Sequence, residues 1–166
     1  MTVFARRGTG CVARLDAVET QVLQEVLTQV VDLLSEGHDL SDPVMARLFP
    51  DVYPDDAETS ADLRRYTDDD LKAAKLEQAG TVLGTLPEGG GVVRLDEEQA
   101  ESWLRALTDA RLALGMRLDV RDDTDLEAEI DAAVARDPGS ARVQQLSVYG
   151  FLTLLQVSLV EALVGY

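Results

Sequence analysis

"GCVARLD", residues 10–16, returns eighty positions later as "GGVVRLD", residues 90–96, and each copy leads directly into an amphipathic segment. In both copies a short stretch ends in Arg-Leu, and an aspartate, Asp16 or Asp96, follows it. An aspartate in this place caps the unpaired amide groups of a following helix. The repeat therefore predicts one strand–cap–helix unit used twice, with both helices leaving the same small sheet.

A glycine-rich approach to a helix N-terminus is also a place where proteins bind phosphate groups. Neither copy, however, contains GxGxxG or the Gly-Lys-Ser/Thr of a P-loop. An aspartate at the cap would also repel the anion. We therefore interpret the repeat as a structural unit rather than as a phosphate-binding loop.

The remaining apolar pattern predicts a mainly α protein, with about six helices packed around a central C-terminal helix. A small antiparallel sheet is predicted from an N-terminal hairpin, with its turn at Gly8-Thr9-Gly10, and a strand near 91–95. The length fits a single domain, residues 1–166. The first predicted helix runs from Asp16 to about Gly37, and a short one follows Asp42-Pro43. Two more cover 57–66 and 68–86, with Thr67 as the cap between them. The helix after the second copy ends near 118, and the last two cover about 124–136 and about 143–164.

The charge balance limits the classes of partner. The 166 residues contain 31 Asp and Glu but only 15 Lys and Arg, a formal net charge of -16. Such a field repels the phosphates of nucleic acids and anionic membrane surfaces. We expect neither nucleic acid nor membrane binding, and the apolar stretch 148–166 is predicted to be a core helix because it contains Gln156, Ser158 and Glu161 and has no basic flank.

The single cysteine, Cys11, rules out an intramolecular disulfide and a multi-cysteine zinc site within this sequence. No apolar run with a small-residue cleavage site stands near the start. Both observations favour a cytoplasmic protein.

Four longer stretches resemble one uncharacterised actinobacterial family, catalogued as domain of unknown function twenty-seventeen. They are "LFPDVYPDD", "LRRYTDDDLKAAK", "WLRALTDARLALGMRLDV" and "LTLLQVSLVEAL", in the same order and spacing. The resemblance implies a cytoplasmic protein, often encoded beside the Clp protease adaptor and a JAMM-type metallopeptidase, and some members are labelled transcriptional regulators. It implies no catalytic residue. The positions that match the family's pattern are Arg64, Arg65, Lys75, Trp103, Arg111, Gly115 and Arg117.

The residue types that usually carry catalysis give no recognisable site. His38 is the sole histidine and follows Gly37 near a predicted helix end, which favours a dipole contact over a general base. Cys11 has no histidine nearby in sequence and is predicted to be a small buried apolar residue. We therefore expect no enzyme activity and no cofactor.

The acidic run 119–131 does not fit the pattern of a calcium loop. With Asp123 as the first ligand position, Ala128 occupies the place of the required glycine and Val134 that of the bidentate glutamate. A solvated acidic helix start is the favoured interpretation. Weak binding of a divalent cation stays open as the alternative.

Basic residues are scarce, so their positions carry more information. Arg64, Arg65 and Lys75 cluster with Lys72 around the predicted helix junction, as a possible contact for a partner or an anion. Pairing with the nearby aspartates is the favoured alternative for them; these are Asp62, Asp68, Asp69 and Asp70.

Arg111 stands on the apolar line of its helix, which predicts that it faces the core. Its guanidinium must then either reach water or fork onto a buried carboxylate or carbonyl oxygen. We expect a buried ion pair involving Arg111 and Arg117. A deep cavity lined by Arg111, Arg117 or Trp103 would instead indicate a small-ligand sensor.

The function expected from the sequence is that of a non-enzymatic regulatory or protein-interaction module, with a role accessory to protein turnover as one form of it. A transcription regulator is the first alternative, and a small-ligand sensor or unrecognised enzyme the second. The partner is expected to be a protein, and a monomer is slightly favoured over a homodimer.

Overall fold

The structure is a computed structural model that describes residues 3–36, 42–50 and 55–165. Within these ranges the chain forms six helices and one three-stranded antiparallel sheet, which confirms the predicted mainly α class. The elements are β1 (Phe4–Arg7), β2 (Gly10–Leu15), α1 (Ala17–Ser35), α2 (Pro43–Leu48), α3 (Ala57–Thr85), β3 (Gly91–Leu95), α4 (Glu97–Leu118), α5 (Leu126–Arg136) and α6 (Ala141–Val164).

The two copies of the repeat lie side by side in the sheet. β2 is the middle strand, antiparallel to both β1 and β3. Ala13 lies opposite Val93, Val12 opposite Arg94, and Arg14 opposite Val92. Ala13 thus faces its own counterpart, whereas Val12 faces the counterpart of Arg14 and Arg14 faces that of Val12, so a local two-fold axis through the Ala13–Val93 pair relates the copies.

The glycine that begins each copy packs against the end of the other copy. A methyl group on Gly10 would lie 2.0 Å from the carbonyl oxygen of Leu95. One on Gly90 would lie 2.8 Å from the amide nitrogen of Ala17 and 3.1 Å from the carbonyl oxygen of Leu15. These two glycines therefore allow two backbones to approach closely. This agrees with the interpretation of the repeat as a structural unit.

Both aspartates of the repeat cap their helices in the same way. The amide of Glu19 donates to Asp16 at 2.8 Å, and the Glu19 carboxylate accepts from the Asp16 amide at 2.9 Å. In the second copy Asp96 and Gln99 make the corresponding bonds at 2.8 and 3.0 Å. These two capping boxes confirm the predicted strand–cap–helix unit.

The prediction of two helices over 57–66 and 68–86 was wrong, because α3 is continuous from Ala57 to Thr85. The hydroxyl of Thr67 donates to the carbonyl oxygen of Leu63 at 2.9 Å, one turn earlier in the same helix. A threonine that bonds backwards in this way continues a helix instead of capping a new one.

The core lies between the sheet and the packed helices. Trp103 is fully buried, meets the ring of Phe4 edge to face at 5.6 Å, and donates from its indole to the hydroxyl of Thr85 at 2.8 Å. From α6, the buried hydroxyl of Ser158 accepts from the amides of Val3 and Phe4 at 3.0 and 2.6 Å. Ser158 thereby fastens β1 to the C-terminal helix.

The C-terminal helix α6 packs mainly against α4, and also against α5 and β1. The other helices do not enclose it, because one stripe of large apolar side chains stays exposed; its members are Leu154, Val157, Val160 and Val164. Among the described residues α6 is also the one helix long and apolar enough to cross a membrane, judged by length and composition. Leu152, Leu155 and Leu159 on its inner face are buried in the core.

Candidate functional site

An open cavity of about 570 Å³ lies between α2, α4, the loop after α4, and α6. Arg47 of α2, Arg111 of α4 and Arg121 of the loop contribute to its wall, and Tyr149 of α6 lies beside them. An arginine-lined cavity was the feature expected of a small-ligand sensor. Arg111 lines it, whereas Trp103 is buried in the core and Arg117 lines a different, much smaller groove against α1.

Arg111 is the innermost charge of this cavity, and its partners are neutral. Its Nη1 donates to the side-chain oxygen of Gln156, and its Nη2 makes a long contact of 3.4 Å with the hydroxyl of Tyr149. The guanidinium carbon lies 5.3 Å from the centre of the Tyr149 ring, a cation–π distance. Its Nε is buried with no acceptor.

The expected buried ion pair of Arg111 and Arg117 is not what the structure shows. The core-facing position of Arg111 is as predicted, and its acceptor on α6 is the side-chain carbonyl oxygen of Gln156, the uncharged one of the two kinds of acceptor expected. Arg117 is an exposed residue in the last turn of α4, where its long side chain reaches solvent.

A glycine and a left-handed helix end shape the floor of the cavity. A methyl group on Gly115 would lie 3.0 Å from Cε2 of Tyr149, so the glycine lets the tyrosine ring lie close to α4. Asp119 ends α4 with a φ of 56°, and the amide of Val120 then donates back to the carbonyl oxygen of Gly115 at 2.8 Å. This turn brings Arg121 to the rim.

The rim of the cavity carries charges of both signs. Arg47 and Arg121 are exposed, and Arg121 pairs with Asp119 at 3.2 Å, with 75% and 81% of the two side chains exposed. Asp122 also lies on the wall. Three arginines and two aspartates therefore line a cavity in a chain whose net charge is -16, which makes this wall locally basic.

Lys75, expected as a contact for a partner or an anion, is held inside the protein. Its Nζ lies 2.8 Å from Oδ1 of Asp109 on α4, with side-chain exposures of 14% and 10%. Burial raises the pKa of Asp109 above its ordinary value, although Lys75 acts to lower it. Arg64 and Arg65 lie in α3, and their side chains are outside the described part of the structure.

The remaining residues considered for chemistry occupy structural positions or lie outside the described residues. Cys11 is buried in β2, and burial raises the pKa of its thiol to about 11. Asp125 caps α5 by accepting from the amide of Ala128 at 3.1 Å, which confirms the acidic helix start in the run 119–131. His38 lies outside the described residues. Within the described ranges no three His, Cys, Asp or Glu side chains are grouped to hold a metal ion.

Fold and site together define a mainly α protein with a basic cavity and without a recognisable catalytic group among its described residues. The chain belongs to the family described as "Domain of unknown function (DUF2017)", whose model matches residues 1–163. This confirms the resemblance found in the sequence.

Relatives of the chain occur in mycobacteria. It is 33% identical over 138 residues to a Mycobacterium tuberculosis protein named "Oxidative stress regulator AosR", and 35% identical over 137 residues to the "Putative oxidative stress regulator AosR" of Mycobacterium leprae. Each alignment covers 75% of this chain but only 59% of the relative. No solved structure matches the chain.

Proposed function

We propose that this protein is a non-enzymatic cytoplasmic regulator that acts by binding another protein during the response to oxidative stress. One observation carries the proposal: three quarters of the chain aligns with proteins named as oxidative stress regulators. The alignment covers 59% of those proteins, so the proposal for this chain concerns the part that it shares with them.

The arrangement of reactive side chains supports a binding role over catalysis. Asp109, which has a raised pKa, is paired with Lys75 instead of facing the cavity. The thiol of Cys11 is buried and weakly acidic. General acid–base or nucleophilic catalysis requires a group within reach of substrate and tuned to neutral pH, and neither residue meets both conditions.

The distribution of basic residues favours a protein partner over DNA. Proteins that read duplex DNA place a basic helix in a groove. Here α1 contains no lysine or arginine, and α5 and α6 contain one arginine each. The helices α3 and α4 contain four and three basic residues, but six and four acidic ones, so neither has a net positive charge. A regulator with this surface would act on transcription through a DNA-binding protein. A role accessory to protein turnover would use the same kind of contact, and it stays a prediction.

The buried position of Cys11 does not suit a sensor of oxidants. Thiolates react with oxidants, whereas a thiol with a pKa of about 11 is ionised in roughly one molecule in ten thousand at neutral pH. We therefore propose that the oxidant is detected by the partner protein, or by a group other than this cysteine.

The test combines genetics with reconstitution. We expect deletion of the gene in the native host to alter a defined set of transcripts after peroxide treatment, and expression of the wild-type chain to restore them. Cross-linking of the tagged protein in peroxide-treated cells should capture a transcription factor, and the two purified proteins should then bind each other. Unchanged transcripts in the deletion strain would contradict a regulatory role.

A second measurement separates the protein partner from DNA. Gel-shift assays at physiological salt with the promoters of the affected genes should show no retention by the purified chain alone, and retention once the partner is added. Sub-micromolar, salt-sensitive binding by the chain alone would favour the transcription-regulator alternative instead.

A further inference from the structure

We propose that the cavity around Arg111 binds a small organic anion, namely a carboxylate or a phosphate monoester that carries an apolar part. Arg111 would meet the charged group and Arg47 would approach it from the rim. The inference is independent of the proposed function, because it rests on the cavity alone.

Among the described residues, the charge of Arg111 has no opposite charge paired with it. A guanidinium stays protonated under all physiological conditions, and withdrawing it from water is costly unless an opposite charge lies close by. Here its partners are Gln156 and Tyr149, both neutral, and its Nε has no acceptor. Asp119 and Asp122 lie on the same wall, but neither is paired with Arg111, and a bound anion would supply the missing contact with an opposite charge.

The guanidinium of Arg111 is held in place before any ligand binds. The amide nitrogen of Gln156 donates to the hydroxyl of Thr108 at 2.8 Å, which fixes the amide so that its oxygen faces Arg111. Gly115 leaves room for the Tyr149 ring, which lies against the guanidinium. A preorganised charge loses less entropy when it binds a ligand.

The size and composition of the cavity suit a small amphipathic molecule. About 570 Å³ falls within the range of small-molecule sites, roughly 300–1,000 Å³. Beside the arginines the wall contains apolar side chains, which suit a hydrocarbon part better than a bare inorganic ion; these are Leu112, Met116 and Val120. The ligand is therefore expected to be amphipathic.

Asp119 acts against the anion. Its carboxylate pairs with Arg121 at 3.2 Å and adds a negative charge to the same wall. The chain's net charge of -16 repels anions more generally. Affinity for simple probes should therefore be modest, and it should increase when the charge of Asp119 is removed.

The test is a titration of the ¹⁵N-labelled full chain, followed by amide chemical shifts at constant ionic strength. The probes are sodium hexanoate and hexyl phosphate, with the neutral analogue hexanamide and inorganic phosphate as controls. We expect saturable shifts at Gly115, Asp119 and Val120 with one or both organic anions. Hexanamide should produce no shifts there, and inorganic phosphate weaker ones. The preferred organic anion identifies the charged group that the site takes.

Variants then assign the contact. Arg111→Gln should weaken binding about tenfold or more, and Arg47→Gln about threefold or more, because a charge-assisted bond is lost in each. Asp119→Asn should strengthen binding. The matched control Arg14→Gln makes the same change of charge on β2, outside the cavity wall, and should change affinity less than about twofold.

Two results would overturn the proposal. One is the absence of saturable shifts at the cavity with both organic anions up to tens of millimolar. The other is that Arg47→Gln binds the anions as tightly as the wild type does; this rim variant leaves the packed interior intact. Where Arg111→Gln folds, it too would have to bind as tightly as the wild type. Neither result bears on the transcript and partner experiments above, so the two proposals fail separately.

Discussion

Nζ of Lys75 lies 2.8 Å from Oδ1 of Asp109, and this buried ion pair joins α3 to α4. The two residues are 34 positions apart in the sequence. Each charge is withdrawn from water and has the other as its close counter-charge, so the pair depends on both members.

Lys75→Met should destabilise the protein by about 3 kcal/mol, because the carboxylate of Asp109 would remain buried without a counter-charge. The double variant Lys75→Met/Asp109→Leu should recover most of this loss, since an apolar pair needs no compensation. Urea unfolding measures all of these values. Lys72→Met, on the same helix, is the control and should change stability by less than about 0.5 kcal/mol. A loss in the double variant equal to that in Lys75→Met would refute the pair as the cause.

The titration of Asp109 should make stability depend on pH in a definite direction. Burial raises its pKa in the folded state, so the folded protein holds this proton more tightly than the unfolded chain does. The stabilising contribution is fully present below the unfolded pKa of about 4, and it is lost as pH rises through the higher folded value.

The measurement compares the wild type with Asp109→Asn by urea unfolding at a series of pH values. The stability difference, wild type minus variant, should fall as pH rises above about 4 and then level off. A difference that grows with pH would mean that attraction to Lys75 outweighs burial and lowers the pKa.

Gly10→Ala should destabilise the protein by about 3 kcal/mol, because the added methyl would lie 2.0 Å from the carbonyl oxygen of Leu95. That oxygen belongs to the backbone of β3, which cannot move away without disturbing the sheet. Gly80→Ala is the matched control: Gly80 is exposed within α3, with nothing within 4 Å of the new methyl. There the substitution should stabilise by about 0.5–1 kcal/mol. Thermal unfolding of both variants gives the comparison, and equal effects would argue against the close backbone approach.

Local chemistry was enough to predict much of the fold. Asp16 and Asp96 predict helix starts because each accepts a capping bond from a residue only three positions later. The turn at Gly8 predicts a hairpin because it, too, depends only on neighbouring residues. The error at Thr67 also has a local cause: the same hydroxyl that can cap a helix can bond backwards within one.

The inward position of Arg111 could be predicted from the sequence, but its partners in the candidate site could not. Helical periodicity placed Arg111 toward the interior, but it contains no information about what the facing helix presents. Gln156 is 45 positions away, and the position of α6 relative to α4 decides the contact. Ser158 was noticed as a polar residue in an apolar stretch, whereas its partners at the amides of Val3 and Phe4 needed the tertiary structure.

The exposed stripe on α6 bears on the oligomeric state. Its four apolar residues are only 38–57% exposed. The largest apolar patch on an ordinary monomer covers about 300–600 Å², and four partly exposed side chains do not exceed it. A stable dimer of standard size buries about 800 Å² on each partner. We therefore predict a monomer. Sedimentation equilibrium should give the chain mass of 18.0 kDa, and a mass of about twice that value would contradict the prediction.

Cys11 should be inert toward oxidants and thiol reagents while the protein is folded. It is 1% exposed, and burial raises its pKa to about 11, so both access and ionisation are suppressed. With a chromogenic disulfide reagent at neutral pH, we expect native protein to react many times more slowly than protein unfolded in urea. Cys11→Ala should leave the transcript response to peroxide unchanged. In experiments that treat the purified chain with oxidant, the same variant is the control that lacks the thiol. Rapid labelling of the native thiol, or loss of the response in Cys11→Ala protein that folds normally, would instead make this cysteine a sensor.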